Sequence, residues 1–162
     1  MAATNAHRSV YLNDHLAGST AALELMVHLS TVYADTPVGQ FAKELHADVL
    51  VDRLELERLS EQLGVKPSEF RKASAWVVEK FTRLKLRIDD PSSGNLQLLE
   101  SLEALSLGIE GKRLLWMAFA AAAETTPSLR IADFTALCTR AEEQRGRVEL
   151  HRRAAAAAVL AG

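Results

Sequence analysis

Several ionisable residues of this chain fall where the helical pattern of its apolar residues points inward. A helix turns 100° per residue, so each side chain can be assigned to a face from its position. Because a lone buried charge is costly, such groups are paired, hydrated, protonated or metal-bound. The predicted inward polar residues are His15, Asp52, Glu103, Glu110, Glu142 and Arg145. They predict either a metal site or an interior salt-bridge network.

The metal hypothesis combines imidazole with carboxylate oxygens, a donor set that suits iron or manganese. The turn near Pro37 places His15 level with Glu55 and within about one helical turn of Asp52, if the flanking helices are antiparallel. The predicted ligands are His15, Asp52, Glu55, Glu103 and Glu110. This set predicts one metal ion at most.

The network hypothesis pairs the same residues with one another and needs no cofactor. Arg145 would pair with Glu110, Glu103 or Glu142, and His15 with Asp52 or Glu55. Buried networks of this kind fix helix register more than they stabilise a fold. We favour this hypothesis, because the guanidinium of Arg145 stays protonated and would repel a metal ion.

The elements that must position these residues are marked by proline. Proline is tolerated in the first turn of a helix and costly further in, so Pro37, Pro67, Pro91 and Pro127 predict the starts of segments. Few β-branched clusters and no hairpin dipeptides are present, so we expect an all-α chain. The five predicted helices run over about 10–34, 37–63, 67–88, 96–124 and 129 to the end.

Cap residues and apolar stripes refine this prediction. Thr36 is predicted to cap the second helix and Gly64 to end it, and Thr126-Pro127 to repeat the Thr36-Pro37 cap. In the first helix, the predicted inward stripe is Leu12, Leu16, Ser19, Leu23 and Met26. Leu25, Leu29 and Val32 lie outside it. The fourth helix is apolar on two sides, so we expect it to pack against more than one neighbour. One side comprises Leu98, Leu102, Leu105, Ile109 and Trp116, and the other Leu99, Leu107, Leu114 and Met117. Both features favour a homo-oligomer.

The order of two long helices, a helical connection and two more long helices resembles the ferritin-like family of four-helix bundles. There, a long crossover joins the second and third bundle helices. The resemblance spans nearly the whole chain, so it implies one up-down bundle domain over residues 1–162. It also implies a glutamate on each of two helices and Glu-x-x-His on each of the others. No Glu-x-x-His occurs, and Glu142-x-x-Arg145 stands where one is expected.

These departures favour a non-catalytic ferritin-like protein with a degenerate metal centre, whose inward polar residues form a network or a ligand pocket. The alternative is an atypical iron- or manganese-binding oxidoreductase or iron-handling protein. A second alternative is a surface-binding module that uses the basic third helix. Residues 66–87 of that region contain seven lysines and arginines and two glutamates.

Length, net charge and cysteine content exclude several classes of protein. The chain has 162 residues, a net charge of −2 and one cysteine, Cys138. This charge gives no reason to expect nucleic-acid binding, and one thiol excludes an internal disulfide. No apolar run approaches the roughly 18 residues of a membrane span, and no secretory signal is evident. We therefore expect a cytoplasmic protein without a membrane-spanning segment.

Overall fold

The computed structural model describes residues 2–65 and 94–161, and these residues are almost entirely helical. Its helices are α1 (Ala2–Val32), α2 (Pro37–Gln62), α3 (Gly94–Thr125) and α4 (Phe134–Leu160), with a short 3₁₀ turn at Pro127–Leu129. No strand occurs in these ranges, which confirms the all-α prediction for them. The predicted third helix, 67–88, lies outside the described residues, so the count of five helices stays a prediction.

The chain divides into two compact units, residues 1–85 and 86–162. In the first unit α1 packs against α2, and in the second α3 packs against α4. Each pair is an antiparallel hairpin of long helices. The single-domain prediction for residues 1–162 stays a prediction. No helix of the described ranges combines the length and the apolar composition that crossing a membrane requires.

The α1–α2 turn forms as its sequence predicts. Thr36 is the N-cap of α2, and its side chain accepts a hydrogen bond from the Gly39 amide at 3.3 Å. Pro37 occupies the first helical turn, where its missing N–H leaves no intrahelical bond unmade. A Cβ on Gly39 would lie 1.9 Å from the carbonyl oxygen of Tyr33. The tight turn therefore requires glycine at this position.

The C-terminal cap of α2 also forms as predicted. Gly64 adopts a left-handed backbone with φ of 67°. Its amide donates to the carbonyl of Glu61 at 3.0 Å, and the Val65 amide donates to that of Ser60 at 2.9 Å. This pair of bonds is a Schellman motif, which satisfies carbonyls that the helix end leaves open.

The connection between α3 and α4 differs from its prediction. Thr126 makes no side-chain capping bond, and Pro127 begins the 3₁₀ turn instead of a long helix. The helix starts at Phe134, where the Asp133 carboxylate accepts from the Ala136 amide at 3.0 Å. The prediction of a start near residue 129 was therefore wrong, because a Thr-Pro pair marks a turn as readily as a helix start. α1 also begins earlier than predicted, at Ala2.

The inward face of α1 only partly follows the predicted stripe. Leu12, Leu16 and Met26 are buried, but Leu23 is only half-buried. A second buried row takes every fourth residue: Asn13, Ala17, Ala21, Leu25 and Leu29. The sequence did not reveal this row because alanine and asparagine carry little hydrophobic signal. Leu25 and Leu29 are therefore core residues, and the prediction that they are free for self-association was wrong.

In the second hairpin, one predicted face of α3 is buried and the other is not. Leu98, Leu102, Leu105, Ile109 and Trp116 are buried as predicted. On the other face Leu99 is buried, whereas Leu107, Leu114 and Met117 are exposed. The expectation that this whole face is covered by a second neighbour was thus wrong for three of its four residues.

The inward seam of α4 is Phe134, Leu137, Ala141, Gln144 and Val148, with Ala155 beyond them. Phe134 stacks on Phe119 with ring centroids 5.7 Å apart and on Trp116 at 6.4 Å. This aromatic contact fixes the start of α4 against the second half of α3.

Candidate functional site

One cluster of ionic contacts in the described residues centres on Glu110 of α3. Arg113, one turn later, donates from Nε and Nη2 to the two Glu110 carboxylate oxygens at 3.0 and 2.7 Å. Arg145 of α4 donates from Nη1 to Glu110 Oε2 at 2.7 Å. Arg113 also reaches Glu142 Oε1 of α4 at 3.4 Å. One carboxylate is thus shared by guanidinium groups from both helices of the hairpin.

These contacts change the acidity of Glu110. The hydrogen bonds from Arg113 have the largest effect, partial burial opposes them, and Arg145 lowers the value further. Together they lower the pKa of Glu110 from 4.5 to about 2. The carboxylate is therefore ionised at neutral pH and is matched by positive charge.

A second ionic contact lies two turns toward the start of α3. Arg152 of α4 binds Glu149 in its own helix through Nε at 2.6 Å and Nη2 at 2.7 Å. Its Nη1 lies 3.5 Å from Glu103 Oε1 of α3. Arg152 lowers the pKa of Glu149 through these hydrogen bonds. The two contacts together cross-link α3 and α4 at two levels.

The structure places these groups at the solvent-facing edge of the hairpin instead of in its core. The side chains of Arg145 and Glu142 are 48% and 61% exposed, that of Glu103 49%, and that of Glu110 28%. The prediction that Glu103, Glu142 and Arg145 point inward was therefore wrong. The seam of α4 runs through Gln144, one residue away, whose amide oxygen accepts a hydrogen bond from Lys112.

On the first hairpin, Asp52 is buried at 2% exposure, in the middle of the inward stripe of α2 as expected. His15 is half-buried, and its ring packs edge-on against Tyr11 with centroids 4.8 Å apart. Burial lowers the pKa of His15. Glu55 pairs within its own helix with Arg58 at 3.8 Å. Neither of these contacts is the predicted pairing of His15 with Asp52 or Glu55.

Arg53 is an interhelical residue that the sequence analysis did not single out. Its Nη1 donates to the Leu16 carbonyl, Ser19 Oγ and Thr20 Oγ1 of α1 at 3.1, 2.9 and 2.5 Å. Its Nε donates to Glu57 at 2.8 Å. A basic residue beside the apolar stripe of α2, facing a run of small hydroxyl residues in α1, was the available signal.

Arg53 also borders an open groove of about 330 Å³ on this hairpin. The groove is lined by Thr20, Leu23, Glu24, Val27, His46 and Arg53. The Nη1 group of Arg53 holds α2 to α1, and its Nε binds Glu57 of its own helix, so neither donor is directed at a ligand.

The predicted metal ligands are divided between the two units. His15, Asp52 and Glu55 belong to the first hairpin, and Glu103 and Glu110 to the second. In the described ranges 2–65 and 94–161, no three or more histidine, cysteine, aspartate or glutamate side chains form a group that could hold a metal ion. Both glutamates instead contact arginine.

Cys138 is half-buried on α4, and burial raises the pKa of its thiol. A protonated thiol is a poor nucleophile, so this environment suits a packing role. The basic residues of the predicted helix 67–88 lie outside the described residues.

Comparisons with protein families, with curated proteins and with solved structures found no match to this chain.

Proposed function

We propose that this chain is a non-catalytic helical-bundle protein of ferritin-like arrangement, in which the ionisable residues have a structural role. The ferritin-like arrangement is supported by the order and length of the helices. The two long antiparallel hairpins are compatible with it.

The observation that carries the proposed structural role is the pairing of Glu110 with Arg113 and Arg145. A carboxylate that serves as a metal ligand needs a free oxygen lone pair directed at the metal. The two oxygens of Glu110 instead accept three hydrogen bonds from two guanidinium groups, which use three of the roughly four lone-pair sites of the carboxylate. Two positive charges at this distance would also oppose a divalent cation.

The interhelical contacts match what register control requires. Glu110–Arg145 and Glu103–Arg152 each join α3 to α4, and Arg53 joins α2 to α1. An antiparallel pair of aliphatic helices can slide by one turn with little change in buried area. Directional bonds at fixed levels favour one register over its neighbours.

The iron or manganese alternative has less support. Its remaining basis is the buried carboxylate of Asp52 on the same hairpin as His15 and Glu55. The surface-binding alternative depends on residues 67–88, which the structure does not describe.

Thermal unfolding with and without a strong chelator tests the proposal. We expect the same melting temperature in both conditions, because no bound metal contributes to stability. A fall of several degrees in chelator, reversed by added iron or manganese, would contradict the proposed structural role.

A further inference from the structure

The solvent-facing side of α2 carries an apolar stripe with no described neighbour. The outer stripe comprises Ala47, Leu50, Val51 and Leu54, at i, i+3, i+4 and i+7. Leu50, Val51 and Leu54 are 40%, 52% and 57% exposed. At 100° per residue, this stripe is centred opposite the buried face formed by Leu45, Val49 and Leu56. The core of the hairpin therefore does not account for these side chains.

Charged residues flank the outer stripe in a complementary pattern. Lys43 and Glu44 lie one turn before it, and Glu57 and Arg58 lie one turn after it. The first two residues and Arg58 are exposed, and Glu57 is half-exposed. Each end thus carries one positive and one negative group, on opposite edges of the stripe. Glu57 already accepts from Arg53 and Glu44 from Gln40, each at 2.8 Å, and each carboxylate has lone pairs left for a second donor. A partner with the reverse order of charges at each end would match all four.

We propose that the outer stripe of α2 docks against the same stripe of a second copy of this chain, with the two helices antiparallel. A two-fold axis near Val51 places Ala47 opposite Leu54 of the second copy, and Leu54 opposite its Ala47. Glu44 then faces Arg58 on one edge, and Lys43 faces Glu57 on the other. The symmetry repeats each pair, so a self-complementary surface results.

The distribution of large and small side chains favours antiparallel over parallel pairing. In a parallel pair, Ala47 would meet Ala47 and Leu54 would meet Leu54, which leaves a gap at one layer and crowding at another. In the antiparallel pair each such layer holds one alanine and one leucine, so their volumes are even along the seam. The layers of Leu50 and Val51 lie on either side of the axis.

The size of the outer stripe sets the expected affinity. Stable dimers typically bury roughly 800 Å² on each partner. Two turns of one helix bury less than this, so we expect a reversible dimer with a dissociation constant in the micromolar range. The outer stripe takes no part in the ion pairs of α3 and α4 or in the hydrogen bonds from Arg53 to α1, although Glu57 at its edge also pairs with Arg53.

Sedimentation velocity of the full chain, from micromolar to near-millimolar concentration, provides the first test. We expect a shift from monomer to dimer as concentration rises. Leu54→Glu should weaken the dimer at least about tenfold, because it places two carboxylates in the apolar seam. Leu54 is exposed, so the monomer should still fold. Leu150→Glu, at a 70% exposed leucine of α4, is the matched control and should leave the dimer unchanged.

A charge swap provides the second test, because it distinguishes the orientation. Glu44→Arg and Arg58→Glu should each weaken the dimer, and the double variant should restore it. In a parallel pair the double variant would place the new guanidinium beside Lys43 and would not restore association. A monomer at every concentration would overturn the proposal, as would a dimer that Leu54→Glu leaves intact. The first outcome would show that the outer stripe does not hold two copies together, and the second that copies meet elsewhere, for example at Leu107 and Leu114.

Discussion

Arg145 Nη1 of α4 lies 2.7 Å from Glu110 Oε2 of α3, which joins residues 35 positions apart in the sequence. Glu110 is held at the same time by Arg113 from its own helix. Arg113 keeps the carboxylate in place for Arg145, so less conformational entropy is lost when the interhelical bond forms. The bond therefore has the geometry needed to favour one register of α3 against α4.

A double-mutant cycle measures this interhelical bond. We expect Glu110→Gln to lower the free energy of unfolding by about 1 kcal/mol, since it removes bonds to two arginines at a partly exposed site. Arg145→Gln should lower it by less, and the two changes should couple by roughly 0.5 kcal/mol. Glu143→Gln, at an exposed position of α4, is the control. Strictly additive effects of the Glu110 and Arg145 changes in urea unfolding would contradict the pairing.

The low pKa of Glu110 predicts an acid-dependent loss of stability. In the folded chain its pKa is about 2, below the ordinary value of 4.5. Its contribution to stability is therefore complete above about pH 4.5 and is lost as the pH falls toward 2. Urea unfolding across this range should show a shallower loss in Glu110→Gln than in the unaltered chain. Parallel pH profiles for the two proteins would show that Glu110 keeps an ordinary pKa.

His15 predicts a second pH effect, in a higher range. Burial lowers its pKa, so the folded chain favours neutral imidazole. Stability contributed by His15 is thus present above its unfolded pKa of about 6.5 and is lost as the pH falls below it. We expect His15→Phe to reduce the loss of unfolding free energy between neutral pH and about pH 5. The control is His7→Phe, at an exposed position of the same helix, which should leave the loss unchanged. Equal effects of the two substitutions would argue against burial as the cause.

Replacing glycine by alanine should have opposite effects on stability at two positions, because their surroundings differ. Gly39→Ala should destabilise the chain by at least about 2 kcal/mol, because the added methyl group would overlap the Tyr33 carbonyl. Gly111→Ala should stabilise it by about 0.5–1 kcal/mol, because alanine favours helix and nothing lies within 4 Å of the new Cβ. Thermal unfolding of both variants checks the signs. A stabilising Gly39→Ala would contradict the turn geometry.

Local signals in the sequence predicted the four described helices and two of their caps. Thr36 and Gly64 act through bonds to residues three positions away, so the chain near them determines the outcome. The Thr126-Pro127 pair has the same local pattern but leads into a 3₁₀ turn, and Asp133 caps the helix that follows. A proline fixes its own φ, but whether the helix continues depends on packing against the rest of the chain.

The rotation of each helix about its own axis was harder to predict. This rotation decides which polar side chains point inward. Asp52 was placed correctly because large apolar residues surround it on α2. On α4 the seam passes through Gln144 instead of Arg145, a difference of one residue. The stripe there contains alanine and glutamine, so the apolar pattern defines the inward direction weakly. The pairing of Arg145 with Glu110 was nevertheless among the alternatives, because opposite charges at matching levels attract on either side of the seam.

Metal content tests the proposed structural role of the polar residues most directly. We would determine iron and manganese by elemental analysis of the untagged protein, purified after growth with both metals added. The structural role predicts well below one equivalent of metal per chain, with no change in His15→Ala or Asp52→Ala. Near-stoichiometric iron or manganese that either substitution removes would contradict it and would establish His15 and Asp52 as ligands.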